Sequence, residues 1–228
     1  MEILRADLAT CDTATGLVVA IDVLRAFTTA AYLFHAGVEE IILVASVREA
    51  FNLRRELPGC LIVGEVDGVR VRGFDLGNSP SEIETKVLTG KRAIQRTSAG
   101  TQGVVLASNA GAILAAALTN VSATVRYIRK LSPGSVTLIQ TGLFPEEGWG
   151  DEDAACADAI ENMLAGRAVD WTRTAGRVRS SRSGLHYDGA RPDFPPRDLE
   201  MALQVDRFGF AMLVEKRGDL HLLHQVQA

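Results

Sequence analysis

The sequence lacks the cysteine patterns that mark metal-binding knuckles and disulfide-rich proteins. Its three cysteines, Cys11, Cys60 and Cys156, are far apart and form no CxxC pair, so we expect them to be reduced. It also lacks a run of about twenty uncharged apolar residues, and its first residues do not combine a basic flank with an apolar core. We therefore expect a soluble, cytoplasmic protein without a membrane-spanning helix or a secretory signal.

Positive charge is not in excess either. The chain has 24 Lys and Arg against 28 Asp and Glu, a net charge of −4, which argues against nucleic acid as the main partner. One segment, 167–182, is an exception, with five arginines: Arg167, Arg173, Arg177, Arg179 and Arg182. This segment is either a solvated, mobile face or an anion-facing lid or loop. The four histidines show no metal-binding spacing such as HExxH, and we assign them no role.

Short apolar runs alternate with helical patterns in the first part of the chain. The runs at 16–21, 41–45 and 60–64 are typical of strands buried on both faces. Helical patterns at 24–36 and 47–57 lie between them. This alternation predicts an α/β fold with a mostly parallel sheet in a three-layer α/β/α arrangement. With 47% hydrophobic residues and no internal repeat, we expect one domain over residues 1–228.

The later elements are predicted from weaker patterns. We expect helices at 80–88, 110–118, 122–131, from about 151 to 164, and at 199–205, and strands at 92–97, 104–107, 135–140, 211–215 and 220–224. The periodicity is weakest from about residue 167 onwards. The alanine-rich helix surface at 115–117 could pack against a second copy of the chain, which makes a homo-oligomer possible.

The loop at 73–82 combines an acid with a helix start. Ser79 can cap a helix that begins at Pro80, and Glu82 is placed to complete a capping box. Free N–H groups at such a helix start attract anions. Asp75 would repel an anion unless a cation such as Mg²⁺ lay between them. The alternative is an ordinary capped turn with a solvated aspartate.

Polar residues follow the predicted strands, and the carboxyl ends of parallel strands are where ligands bind in such sheets. Asp22 follows the first strand, Glu65 the third, and Ser108 and Asn109 the fifth. Asp22 and Arg25 share one helix face, with Thr28 and Thr29 a turn later. They contact one ligand together, or they form an ordinary ion pair within the helix.

Two further groups complete the candidate site. The turn 97–101 is rich in hydroxyl groups and contains Gly100, so its amides could surround an oxyanion, although serine, threonine and glycine are also common turn formers. Asp151, Glu152 and Asp153 begin a helix, where acids are favoured by the helix dipole in any case. Alternatively, one or two of these acids bind a metal together with other carboxylates, since Mg²⁺ prefers carboxylate and water ligands.

Five of these segments together resemble the 2-phosphosulfolactate phosphatase (ComB) family. They are residues 21–29, 64–65, 73–80, 97–101 and 152–156. The resemblance implies a ComB-like three-layer fold and a phosphatase with Mg²⁺ as its cofactor. It implies hydrolysis of the phosphate ester of 2-phosphosulfolactate to sulfolactate and phosphate, a reaction of coenzyme M biosynthesis.

On this resemblance we expect three kinds of site residue. The expected metal ligands, direct or through water, are Asp22, Glu65, Asp75, Glu152 and Asp153. The expected catalytic residues are Asp22, Arg25 and Asp75. The expected substrate-binding residues are Thr28, Thr29, Asn78, Ser79, Thr97, Ser98, Gly100 and Thr101.

Two segments depart from the family pattern. Ala99 stands where the family usually has asparagine, and the loop 143–150 is altered and carries Glu146, Glu147 and Trp149. Both changes fall where the substrate should bind. They keep open two alternatives: an Mg²⁺-dependent phosphatase or phosphotransferase acting on another small anionic phosphate ester, and a non-catalytic anion-binding homologue.

Overall fold

One mixed sheet runs through the chain, for which a computed structural model describes residues 1–144, 146 and 148–228. Its strands within these residues are β1 (Glu2–Ala6), β2 (Gly16–Ile21), β3 (Glu40–Val44), β4 (Leu61–Val66), β5 (Val69–Arg70), β6 (Arg92–Arg96), β7 (Ala110–Ala116), β8 (Ser135–Gln140), β9 (Phe210–Arg217) and β10 (Leu220–Gln227). The α-helices there are α1 (Ala26–His35), α2 (Val47–Glu56), α3 (Pro80–Ile83), α4 (Gly100–Leu106), α5 (Val121–Leu131), α6 (Asp151–Leu164), α7 (Trp171–Ser180) and α8 (Pro196–Ala202).

The sheet consists of two parallel groups joined by a hairpin. The strand order is β1-β8-β2-β7-β9-β10-β3-β6-β4-β5. Strands β1, β8, β2 and β7 are parallel to one another, as are β3, β6 and β4. The β9–β10 hairpin lies between the two groups and pairs antiparallel with both β7 and β3. The C-terminal segment therefore closes the middle of the sheet.

Helix α1 packs against one face of this sheet. Nine of its ten residues are buried, as expected for a helix that is enclosed rather than lying on a surface. It shares one apolar cluster with residues of both parallel groups and of the hairpin, including Val18, Ile41 and Met212. The sheet curves round α1, and this brings strand ends from the two groups together: Gln95 Nε2 at the end of β6 donates to the Ala26 carbonyl at 3.0 Å.

The opposite face of the sheet is covered by other helices. The residues of β2 that point away from α1, such as Val19 and Ile21, pack in a cluster with α5 and α6. On the second parallel group, Ile42 and Ile62 pack with α2. Helices therefore cover both faces, which confirms the predicted α/β fold with a mostly parallel sheet. Over residues 1–144, 146 and 148–228, no helix is long and apolar enough to cross a membrane.

Two elements between residues 100 and 118 differ from the prediction. Residues 104–107, predicted as a strand, lie at the end of α4, and residues 110–116, within a predicted helix, form β7. The alanines of β7 fill a central strand between β2 and β9, where tertiary packing overrides their preference for helix. Ser108 and Asn109 consequently precede a strand instead of following one. Ala115 is buried in the sheet, so residues 115–117 offer no helix surface to a second copy.

Gly64, the residue before Glu65, provides a test of how closely β4 and β6 approach each other. A Cβ on Gly64 would lie 1.9 Å from the Arg96 carbonyl oxygen of β6, and φ at Gly64 is +134°. We expect Gly64→Ala to lower the free energy of unfolding by about 3 kcal/mol or more. Gly59→Ala is the control, because Gly59 also has positive φ but nothing lies within 4 Å of its Cβ position; it should cost about 1–2 kcal/mol. Equal losses in urea unfolding would contradict this account.

Candidate functional site

A cavity of about 510 Å³ lies where the ends of β2, β4, β6 and β8 meet. Several residues that the sequence singled out line it: Asp22, Arg25, Glu65, Asn78, Ser98, Glu152 and Asp153. These residues come from five separate segments of the chain, and the curved sheet places them around one space. Strand ends in an α/β fold are the usual place for a ligand site.

Two buried aspartates are fixed by backbone amides. Asp22 Oδ1 accepts from Ala26 N at 2.8 Å, so the carboxylate caps the start of α1. Asp153 Oδ1 accepts from Val23 N and its Oδ2 from Gly142 N, both at 2.8 Å. Asp153 therefore fastens the segment after β2 to the segment after β8, and both carboxylates are held in one orientation.

Glu65 forms a similar clamp on the other wall of the cavity. Its Oε1 accepts from Ser98 N at 2.6 Å, and its Oε2 accepts from Gly68 N at 2.6 Å and from the Ser98 hydroxyl at 3.1 Å. These bonds join the β4–β5 turn to the turn that follows β6. Charge-assisted bonds of this kind are short and directional, so Glu65 is rigidly placed.

Glu152 differs because part of its carboxylate is unsatisfied. The residue is only 2% exposed, and its Oε2 has no hydrogen-bond partner among the described residues. A buried acceptor without a partner is costly. Since Glu152 lines the cavity, this oxygen is available to a cation, a water molecule or a ligand donor.

The buried acids raise one another's pKa values. Burial raises the pKa of Asp22 to about 7, and the nearby Glu65 and Glu152 add to the rise. Burial, followed by repulsion from Asp22 and Glu152, raises the pKa of Asp153 well above its usual range. Carboxylates crowded in this way are stabilised by a bound cation.

The acids do not form a ready-made metal cluster. Among the residues that the structure describes, no group of three or more Asp, Glu, His or Cys side chains is arranged to hold a metal ion. A cation here would therefore take one or two carboxylates and complete its shell with water or ligand oxygens, which is the usual habit of Mg²⁺.

Arg25 lines the cavity, but it is held by protein groups. Its Nη1 donates to Asp198 Oδ2 at 2.8 Å and to the Asp193 carbonyl at 2.8 Å, and its Nη2 donates to the Gly68 carbonyl at 3.1 Å. The guanidinium also lies 5.0 Å from the ring centre of Phe194. Arg25 and Asp198 form a buried ion pair. Sequence reasoning missed Asp198, because an acid in the first turn of α8 has no distinguishing local signal.

Asp75 is not brought to the cavity. Its Oδ2 accepts from Ile62 N at 2.8 Å and from Arg54. Burial disfavours its charge, but these two bonds outweigh burial and lower its pKa. Asp75 thus ties the 73–80 loop to β4 and α2, and the structure does not join it to Asp22 and Glu65.

Some of the eight predicted substrate-binding residues line the cavity, and the others do not. Asn78 and Ser98 line the cavity, and the Asn78 Oδ1 atom has no partner among the described residues. The remaining six do not line it. The hydroxyl of Thr28 donates to the Val23 carbonyl at 2.8 Å, while that of Thr29 is buried without a described partner. Ser79 caps α3 as predicted and donates to Asp198 at 2.9 Å.

The turn after β6 uses its hydroxyl groups internally. Thr101 Oγ1 accepts from Thr97 N at 2.9 Å, and Thr97 Oγ1 accepts from Thr101 N at 3.0 Å. Gly100 lies against Asp22, and a Cβ there would come within 2.7 Å of Asp22 Oδ2. These residues shape the cavity wall, and Ser98 and Ala99 are the members of the turn that face the cavity.

Of the cavity rim, only Trp149 in the altered loop was foreseen from the sequence. The rim includes Trp149, His186, Arg191 and Phe194. The His186 ring lies 5.2 Å from that of Trp149 and 5.3 Å from that of Phe194, and the Arg191 guanidinium lies 4.4 Å from the Phe194 ring centre. His186, Arg191 and Phe194 come from stretches without periodicity, so no local pattern marked them. In the altered loop, Glu146 is exposed, whereas Pro145 and Glu147 lie outside the described residues.

The arginine-rich segment is a helix tied to neighbouring acids. Arg177 of α7 pairs with Asp151 and Asp158, and Arg179 pairs with Glu200. Arg182 lies 4.4 Å from the ring centre of Trp149, at the cavity rim. Arg177 and Arg179 therefore fix α7 in place, and Arg182 is the arginine of this segment that approaches the cavity rim.

Comparisons with known proteins agree on one family. A family model described as 2-phosphosulpholactate phosphatase matches residues 3–186. A probable 2-phosphosulfolactate phosphatase of Bacillus subtilis (strain 168) is 31% identical over 210 residues, 91% of each chain. A protein of the same name from Carboxydothermus hydrogenoformans is 35% identical over 213 residues, 92% of this chain and 84% of its own. One from Synechocystis sp. is 35% identical over 167 residues, 72% and 68% respectively.

The buried acids predict an unusual pH dependence of stability. The folded protein keeps a proton on Asp22 up to about pH 7, whereas an unfolded aspartate loses it near 3.8. The metal-free protein should therefore lose stability as pH rises between these values. We expect Asp22→Asn to reduce the difference in the free energy of unfolding between pH 5 and pH 8. Urea unfolding in the presence of EDTA measures this difference. Asp12→Asn, at an exposed position, is the control; an unchanged slope in Asp22→Asn would contradict the assignment.

The buried ion pair predicts a large effect at Asp198. Asp198→Ala leaves the Arg25 charge buried without its partner, so we expect the free energy of unfolding to fall by about 3–5 kcal/mol. Glu200→Ala, in the same helix, removes an exposed pair with Arg179 and should cost about 1 kcal/mol or less. Denaturant unfolding of both variants measures the difference, and similar losses would show that the Arg25–Asp198 pair is not special.

Proposed function

The chain belongs to the 2-phosphosulfolactate phosphatase family, and we propose that it hydrolyses the phosphate ester of 2-phosphosulfolactate to sulfolactate and inorganic phosphate. The observation that carries this proposal is the acid-lined cavity at the strand ends, with a buried Glu152 oxygen that has no described partner. A phosphate ester cannot approach such a surface unless a cation lies between them. A phosphatase with a divalent cofactor resolves this conflict.

Mg²⁺ is the cofactor that this donor set fits best. Among the described residues, the cavity lining offers carboxylate oxygens and no thiolate, and hard cations prefer oxygen ligands. We assign Glu152, whose Oε2 has no described partner, as the direct ligand, with Asp22, Glu65 and Asp153 holding bound water. Asp153 uses both oxygens on backbone amides, which suits it to this indirect role. When bound, Mg²⁺ would neutralise charge on the phosphoryl oxygens, an effect worth several kcal/mol in the transition state.

The chain's own groups prepare the remaining steps. Asp22, fixed by the Ala26 amide, orients the attacking water and accepts its proton. The water oxygen forms the new bond to phosphorus and the bond from phosphorus to the lactate oxygen breaks. That oxygen takes up a proton from solvent water to leave as a hydroxyl group, and Asp22 returns its proton to the solvent. Asn78, in the cavity wall, donates from its side-chain amide to an oxygen of the ester, while Ser98 lines the same wall and keeps its own donors on Glu65. Their positions are fixed before the substrate arrives, which favours rapid reaction.

A second candidate function has one observation in its favour. Ala99 faces the cavity at a position where the family pattern usually has an amide side chain. Without that amide the cavity wall has one hydrogen-bonding group fewer for the substrate, which favours a different small anionic phosphate ester. Under this alternative the same acids and the same cofactor act on another substrate.

Phosphate release measures the proposal directly. With Mg²⁺ the protein should release phosphate from 2-phosphosulfolactate, and EDTA should abolish the release. Glu152→Gln should lower kcat/KM by about a hundredfold or more, equivalent to about 2.7 kcal/mol. Glu161→Gln is the matched control, because Glu161 lies on the same helix in an ion pair with Arg5; its activity should stay within about twofold of the unmodified protein.

Other outcomes of these assays would contradict the proposal or support an alternative function. Full turnover in EDTA would remove the metal from the proposal. Faster hydrolysis of another ester in a panel of small phosphate esters would support the second candidate. Stabilisation by phosphate or sulfolactate in thermal unfolding, without turnover of any ester, would indicate a non-catalytic anion-binding protein.

A further inference from the structure

The cavity has an acidic floor and a rim that carries a cation. The floor is formed by Asp22, Glu65, Glu152 and Asp153, with Arg25 paired to Asp198. Arg191 and His186 line the rim among aromatic rings, and Asp67 is an exposed acid of the lining. Proximity to Arg191 and Arg182 is one of the causes that keep the pKa of His186 below its usual range, after burial. Both arginines therefore lie close to this ring. The rim is the part of the cavity suited to a second anion.

Arg191 is the rim cation with uncommitted donors. Its guanidinium lies over the ring of Phe194, and among the described residues its side chain has no hydrogen-bond or ion-pair partner. Arg25, by contrast, uses its donors on Asp198 and on backbone carbonyls. An arginine that rests on an aromatic ring is pre-oriented and loses little freedom when it binds an anion.

The segment that carries Arg191 is firmly attached to the cavity. The Asp193 carbonyl accepts from Arg25 at 2.8 Å, and the rings of Tyr187 and Phe194 both lie near the Arg25 guanidinium, at 5.6 and 5.0 Å. Residues after 186 lie beyond the part of the chain that the family model matches. The rim is thus an ordered surface formed by the C-terminal part of this chain.

We propose that Arg191, with the neighbouring His186 ring, binds the sulfonate of the substrate and selects for it. The proposal rests on the hydrolysis of 2-phosphosulfolactate proposed above. Of the three acidic groups on that molecule, the sulfonate is the weakest base. It is therefore the group least suited to a metal ion among carboxylates, and a weakly hydrated guanidinium beside aromatic rings suits it better. The phosphate and carboxylate are then directed towards the floor.

Kinetics with two substrates test this assignment. The comparison ester is 2-phospholactate, which keeps the phosphate and carboxylate and lacks the sulfonate. Arg191→Gln should lower kcat/KM for 2-phosphosulfolactate by about tenfold to a hundredfold, mainly through KM, and leave that for 2-phospholactate within about twofold. Arg191→Lys should restore part of the loss, because it restores the charge without the planar guanidinium.

Arg207→Gln is the matched control. Arg207 is also an exposed arginine near a phenylalanine ring, that of Phe208 at 5.7 Å, and it does not line the cavity. Its kcat/KM for both esters should match the unmodified protein. An equal loss on both esters in Arg191→Gln would assign Arg191 to the carboxylate or to structure, and no loss on either ester would show that it does not contact substrate; both results overturn the proposal.

Direct binding separates this inference from the proposed function. If the unmodified protein hydrolyses neither ester, the proposed function fails, and calorimetry with sulfolactate and lactate tests the rim alone. The sulfonate assignment then requires that sulfolactate binds to the unmodified protein and to Arg207→Gln, and binds about tenfold or more weakly to Arg191→Gln. No binding by the unmodified protein, or equal binding by all three, overturns it.

Discussion

The site depends on backbone amides that hold buried carboxylates. Glu65 joins the turn after β4 to the turn after β6, and Asp153 joins the segment after β2 to that after β8. Together these bonds satisfy buried acceptors and connect segments that follow strands distant in sequence. The same interactions that close the fold therefore set the geometry of the acids. The remaining electrostatic strain, expressed in the raised pKa values of Asp22 and Asp153, is what a cation would relieve.

The curvature of the sheet makes this meeting of strand ends possible. The two parallel groups are linked by an antiparallel hairpin, so a flat sheet would hold their carboxyl ends on opposite edges. Wrapping round α1 brings Asp22 beside the Gly100 turn, at a distance that only glycine allows. Stability and function thus share a requirement, because the buried helix that forms the core also places the acids.

Sequence reasoning predicted the cavity-lining residues that have a local signal. Asp22 and Glu65 follow recognisable buried strands, and the acids at 151–153 begin a recognisable helix, so the rule of strand ends was sufficient. The same rule could not place Asp75, because its partner Arg54 lies in another element. It also missed Asp198, whose importance comes from a contact with Arg25 across 173 residues. The strand β7 was misread because alanine favours helix when considered alone.

The central position of the β9–β10 hairpin has a consequence for the order of folding. Strands β7 and β3 gain their second neighbouring strands only when residues from 210 onwards have left the ribosome. Until then the nascent chain has two incomplete half-sheets, each with an open, apolar edge of the kind that recruits other chains. Such long-range pairing slows folding. Loss of the last few residues would accordingly damage the middle of the protein more than its periphery.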